Sequence, residues 1–184
     1  MTVSVESMPV VPTAQRWLSQ VKREYSAGHD RPLAGYLGLI SIYTGSTAAA
    51  ALTARLLKRP IPRRVSAADL ILVGIGTHKL SRMIAKDPVL SPFRAPFTKF
   101  AGQSGEAELA EEVRGHGLQH AVGELITCPF CLAQWVATGL TAGLVLAPKA
   151  TRLLASVVTA KAISDTTQLL YDAIQKATQS LESS

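Results

Sequence analysis

Two long stretches without a formal charge constrain this chain more than any other feature. Leu33 to Ala54 supplies 22 uncharged residues, LAGYLGLISIYTGSTAAAALTA, and Leu125 to Pro148 supplies 24, LITCPFCLAQWVATGLTAGLVLAP. A helix rises about 1.5 Å per residue, so roughly 20 apolar residues cross the roughly 30 Å hydrocarbon core of a bilayer. Both runs are long enough. The first is diluted by Ser41, Thr44, Ser46 and Thr47, and a run of this kind also suits a core helix of a soluble protein. Composition leaves a soluble helical protein or a small membrane protein, and the distribution of charge along the chain decides between them. Charged residues are 17% of the 184, against about 25% in soluble domains, and mean hydropathy is +0.20. The same figures exclude a disordered chain, a collagen or a disulfide-stapled scaffold.

Two more segments read as helices. Ala67 to Ala85 begins apolar and ends cationic. Ala150 to Ile174 carries Arg152, Lys161 and Asp165, and the last two, four apart, share a helix face. The expected fold is therefore an all-α membrane protein with about four membrane-associated helices, near 33–57, 66–86, 125–148 and 150–174. Residues 1–32 are expected to hold a flexible tail and an amphipathic helix, 33–174 the helical membrane domain, and 175–184 a second flexible tail. The first 14 residues contain Glu6, Pro9 and Pro12 and lack the apolar centre of a cleavable leader. Thr13 is a candidate cap for a helix to about Ala27. Its Trp17, Leu18, Val21 and Tyr25 oppose Arg16, Lys22 and Arg23, the pattern of a helix lying on a membrane surface or docked on protein.

Net charge is +6, and five basic residues, Arg55, Lys58, Arg59, Arg63 and Arg64, follow the first long run. The positive-inside tendency places that loop in the cytoplasm, although Arg16, Lys22, Arg23 and Arg31 precede the run. Basic residues that flank apolar runs, in a chain with 5% aromatics, point to membrane lipids as partners and not to nucleic acid.

Chemistry-bearing residues gather in two places. On a helix, Lys79, Arg82 and Lys86 make one cationic stripe, which Asp87-Pro88 must end because a residue before proline avoids helical geometry. Prolines at 88, 92 and 96 imply an extended or turning stretch in which Phe93, Phe97 and Phe100 alternate with Arg94 and Lys99. Lys79, Lys86, Phe93, Phe97 and Lys99 are the candidates for contact with lipid headgroups, unless the stretch only anchors topology. The second place is Cys128-Pro129-Phe130-Cys131, which holds both cysteines of the chain. Pro129 suits a first helical turn. The pair reads in three ways: reduced and packed against Trp135 or a neighbouring helix, which is preferred; a redox couple; or half of a metal site completed by His116 and His120. Glu106 to Glu112, EAELAEE, is expected to form a short solvated helix. Gly139 and Gly143 have the spacing that lets membrane helices approach closely, which offers a face for a partner protein or a second copy. No catalytic triad is recognisable, and Gly74-x-Gly76 lacks the last glycine of a phosphate-binding loop.

Thr77–Phe97, THKLSRMIAKDPVLSPFRAPF, and Gly123–Trp135, GELITCPFCLAQW, together resemble the bacterial domain-of-unknown-function family 1360, small integral membrane proteins. The resemblance covers about 67–172 and rests on Leu80, Ser81, Arg82, Asp87, Arg94, Pro96, Phe97, Glu124, Leu125, Thr127, Cys128, Pro129, Cys131 and Trp135. It implies a multi-pass protein of the bacterial cytoplasmic membrane with no established activity. His116 and His120 lie outside the pattern. Arg82, Asp87, Glu124, Cys128 and Cys131 make the expected buried polar set, with Arg82 meeting Asp87 or Glu124, because charges near a bilayer are costly unless paired. The expected function is a structural or accessory membrane subunit with no cofactor and no catalysis. A thiol-redox protein and a lipid-headgroup- or metal-binding protein are the alternatives.

Overall fold

The computed structural model describes residues 14–26, 31–62 and 64–182. Thr13 and the first tail lie outside them. Among the described residues the chain forms α1 (Ala14–Ser26), α2 (Leu33–Leu56), α3 (Ala67–Lys86), a 3-10 turn (Pro88–Leu90), α4 (Ser91–Arg94), β1 (Thr98–Gly105), β2 (Glu108–Val113), α5 (Gly117–Thr127), α6 (Pro129–Leu146) and α7 (Pro148–Glu182).

Local chemistry sets the boundaries of these helices. Ser66 caps α3 by accepting the Asp69 N–H at 3.0 Å. Asp87 ends α3 with an extended backbone before Pro88, and its Oδ1 then accepts the Val89 N–H at 2.8 Å. Cys128 is extended as well, and Pro129 opens α6. The expected 125–148 helix is thus two helices, since a proline at 129 cannot donate the bond that would continue α5. The last helix runs to Glu182, well past Ile174.

The main packing unit is α3 against α6 and α7, with α2 laid on α5 and more lightly on α6. The partners fix directions. Asp69 meets Arg152 and Lys79 meets Asp165, so α3 and α7 run in parallel. Tyr43 meets Thr138, while Ala54 shares a groove with Leu146, so α2 and α6 run in parallel and opposite to the other pair. The loop after α2 and the turn at Ala147 consequently lie at one end of the bundle. The hairpin, α5 and the start of α6 lie at the other.

The chain is mostly helical, as expected, and departs from an all-α fold in one place, where β1 and β2 pair as an antiparallel hairpin. The EAELAEE segment, expected as a helix, mostly forms β2. Lys99 lies opposite Glu112, and Phe100 opposite Glu111, before an irregularity between Phe100 and Gly102. The backbone then reverses through Gly115 and Gly117, with φ of 80° and 58°, a region glycine enters without steric cost. Gly123 of α5 lies against this hairpin: a Cβ there would sit 2.5 Å from Val113 Cγ1 and 2.8 Å from the Phe97 carbonyl oxygen.

The interior is made of small side chains. Its fully buried apolar residues are mostly alanines, Ala54, Ala85, Ala121, Ala155 and Ala162, together with Leu132, Leu140 and Val158. The large apolar side chains point outward, among them Leu37 and Ile40 of α2, Leu70 and Ile71 of α3, and Leu153 and Val157 of α7. Two helices, α2 and α6, are long and apolar enough to cross a membrane, and only 6% and 11% of their most apolar windows are buried within the chain.

Candidate functional site

The polar residues marked by the sequence do not form one cluster. They separate into two ion-paired anchors and one pocket.

Arg94 is the centre of the first anchor. Its side chain is 1% exposed and that of its partner Glu111 is 6% exposed. The guanidinium donates to both Glu111 carboxylate oxygens, at 2.8 and 3.0 Å, and through Nη1 to the Ile84 carbonyl at 2.8 Å. That third bond has a covalent cause. The Ile84 carbonyl would ordinarily receive the N–H of residue 88, and Pro88 has none. Thr98 then donates to the Arg94 carbonyl. One arginine thereby joins the end of α3, the α4 turn and the hairpin.

Arg82 forms the second anchor, though not with Asp87 or Glu124 as expected. It donates to both oxygens of Glu108, at 2.7 and 2.8 Å, and its side chain is half exposed. Asp87 is occupied at the helix boundary, and Glu124 lies on α5 in another cluster. Arg82 is therefore a bridge to the hairpin at the protein surface. The expected cationic stripe is broken for the same reason, since Lys79 is paired with Asp165, which also receives Lys161 at 2.7 Å. Of the lipid-headgroup candidates, Phe93 and Lys99 are exposed, and Lys86 and Phe97 are half-buried.

Glu124 organises the pocket. One carboxylate oxygen accepts a short hydrogen bond from the Tyr36 hydroxyl. The other lies 3.4 Å from Arg31 Nη1 and 3.6 Å from His120 Nε2. Arg31 also stands over the Tyr36 ring at 5.9 Å. The contact is possible because α2 touches α5 closely: a Cβ on Gly35 would lie 2.6 Å from the Gly117 carbonyl oxygen. The pocket, a cavity of about 590 Å³, continues past Leu39 and Ile40 to Cys128 and Cys131. Sequence reasoning missed Arg31 and Tyr36 as its members, because nothing in the spacing announces a contact across about 90 residues.

The cysteines are free thiols. Cys128 is half-buried and Cys131 exposed, so neither is the buried packing group that was preferred. Trp135 instead meets Tyr43 edge-on, with ring centroids 5.1 Å apart. Cys128 Sγ accepts the Cys131 N–H at 3.2 Å and acts as the cap of α6, and the two thiols are in contact. His120 is held by Glu124 and the Gly115 carbonyl. No metal-binding group of three or more His, Cys, Asp or Glu residues is assembled among the described residues, so His116, His120, Cys128 and Cys131 do not converge as a ligand set.

A second cavity of about 680 Å³ opens between α2 and α6, walled by Tyr43, Ala50, Ala54, Trp135, Gly139 and Ala142. The two glycines of the expected close-approach face behave differently. A Cβ on Gly143 would meet Thr151 Oγ1 of α7 at 2.6 Å, whereas one on Gly139 meets nothing within 4 Å.

These features define a small helical bundle with large apolar side chains outside and an ion-paired hairpin cap at one end. The chain belongs to the family described as "Protein of unknown function (DUF1360)", whose model matches residues 72–171. Over 76 residues it is 24% identical to "Sporulation protein YjcA" of Bacillus subtilis (strain 168), which covers 40% of this chain and 64% of that relative. The chain thus matches a little under two thirds of that relative's length. No solved structure matches.

Proposed function

We propose that this is a multi-pass protein of the bacterial cytoplasmic membrane, acting as a structural or accessory subunit. The observation that carries this reading is the inverted distribution of side chains: alanine inside, leucine and isoleucine outside. In water such a surface would be an extended apolar patch far beyond what soluble monomers tolerate. In lipid it is the expected exterior, and small residues are the expected contacts between helices. Lengths agree. At about 1.5 Å per residue, the 24 residues of α2, 20 of α3 and 18 of α6 reach about 36, 30 and 27 Å. The 35 residues of α7 reach about 52 Å, enough to cross and continue beyond. The charges on these helices are paired, Asp69 with Arg152 near the starts of α3 and α7 and Lys79 with Asp165 farther along both, as charges at membrane depth must be.

Within this reading the loop containing Arg55, Lys58, Arg59 and Arg64 faces the cytoplasm. None of these four residues has a carboxylate partner among the described residues. Gly139, on the open wall of the α2–α6 cavity, is the glycine left for a partner helix, because Gly143 is already closed by Thr151. Carbonate extraction tests the placement. The protein is expected to stay with the membrane pellet, and release into the soluble fraction would refute it.

A further inference from the structure

The two thiols are nucleophiles that a purely structural role leaves unused, and their sulfurs stand side by side at the start of α6. We propose that Cys128 and Cys131 form a reversible dithiol–disulfide couple that exchanges with a disulfide-bearing polypeptide, Cys131 attacking and Cys128 resolving. Three observations carry this. The sulfurs are already adjacent: the Cys128 cap places its Sγ over the first turn of α6, against the Cys131 side chain. With the sulfurs in contact across the start of α6, closing the bond needs the two Cβ atoms to come within the about 3.5–4.5 Å that a disulfide spans. Next, exposure differs between them, with Cys131 open and Cys128 half-buried. Last, the pair borders the cavity of about 590 Å³ whose apolar wall is Leu39 and Ile40 and whose polar lip is Arg31, Tyr36 and Glu124. Phe130, between the cysteines, is 88% exposed. An apolar wall, a polar lip and a projecting aromatic ring suit a polypeptide segment with alternating side chains.

The exchange balances without any further oxidant. The Cys131 thiolate attacks one sulfur of a substrate R–S–S–R′. The Cys131–S–S–R bond forms, the substrate bond breaks, and R′–S⁻ leaves carrying the electron pair and takes up the Cys131 proton. The Cys128 thiolate then attacks the Cys131 sulfur. The Cys128–Cys131 disulfide forms, and R–S⁻ leaves and takes up the Cys128 proton. The pair is oxidised by two electrons and the substrate disulfide is reduced to two thiols.

The test uses the full-length protein in detergent, with glutathione disulfide as probe. After equilibration against mixtures of reduced and oxidised dithiothreitol, acid quenching and maleimide labelling, both thiols are expected to disappear together, in one transition with a definable midpoint. Cys128→Ser should trap a Cys131–glutathione mixed disulfide, and Cys131→Ser should trap much less. Serine at 128 keeps an oxygen that can accept the N–H bond of the α6 cap, and helical circular dichroism confirms that each variant is folded. Two thiols that stay labelled at every ratio, or a Cys128→Ser protein that traps no glutathione, would overturn the proposal. The assay reads sulfur chemistry alone, so either result leaves the membrane placement to its own test.

Discussion

Arg94→Met removes the most buried charge among the described residues and exposes what the hairpin cap contributes. The substitution keeps an unbranched side chain of similar reach and deletes three hydrogen bonds. Two of them held Glu111, whose side chain is only 6% exposed. Breaking a buried ion pair from one side costs about 3–5 kcal/mol, because the remaining charge has no partner. The third bond held the Ile84 carbonyl, and an orphaned buried acceptor costs about 1–3 kcal/mol. The expected loss is therefore about 4–8 kcal/mol, a large share of the roughly 5–15 kcal/mol that holds a typical domain. SDS titration in mixed micelles, followed by helical circular dichroism, measures it. The decisive comparison is Arg94→Met with Glu111→Leu in one chain. That variant leaves no unpaired charge, so it should recover most of the first cost and keep only the Ile84 penalty. An Arg94→Met loss below about 1 kcal/mol would refute the assignment, as would a double variant no more stable than the single.

The glycines give sharper contrasts. Gly143→Leu should lower stability markedly, because even its Cβ collides with Thr151, while Gly139→Leu should leave thermal stability in detergent nearly unchanged and alter only assembly with a partner; equal effects on stability would contradict this division. Gly35→Val should separate α2 from α5, where the Gly117 carbonyl and Ala121 Cβ leave no room, and protease cleavage after residue 31 should become faster; an unchanged cleavage pattern would count against that contact.

Much of the helical frame was legible because local rules decided it. The uncharged run from Leu33 found its helix almost to the residue, and Asp87-Pro88 ended α3 where a residue before proline must. Pro129 opened α6, although the run around it reads as continuous. What escaped was decided across the chain. Glu, Ala and Leu are good helix formers, so EAELAEE reads as a helix. It becomes a strand because Arg94 and Arg82 draw in Glu111 and Glu108 and because Lys99 faces Glu112. Arg82 looked bound for Asp87 by nearness, yet Asp87 already serves the Val89 N–H. Glycines 139 and 143 look equivalent at a spacing of four. The turn at Ala147 brings α7 back against Gly143, and the approach has opened one turn earlier.

Topology links the two ends of the bundle and makes their assignments dependent on each other. Because α2 and α6 run in parallel, the basic loop after α2 lies at the end opposite the start of α6, where Cys128 and Cys131 stand. A cytoplasmic basic loop therefore puts the thiols near the outer face, where disulfides form and persist. This yields a paired expectation. In intact cells a cysteine introduced at Ile61, in a Cys128→Ala and Cys131→Ala background, should resist an impermeant maleimide. In the wild type Cys131 should take up the same reagent only after an impermeant reductant has been applied. Ready labelling at residue 61 would reverse the orientation and move the thiols to the reducing side. The pair would then rest as a dithiol, the form that attacks a substrate disulfide, whereas at the outer face it rests as the disulfide and runs the same exchange in reverse, taking electrons from substrate thiols.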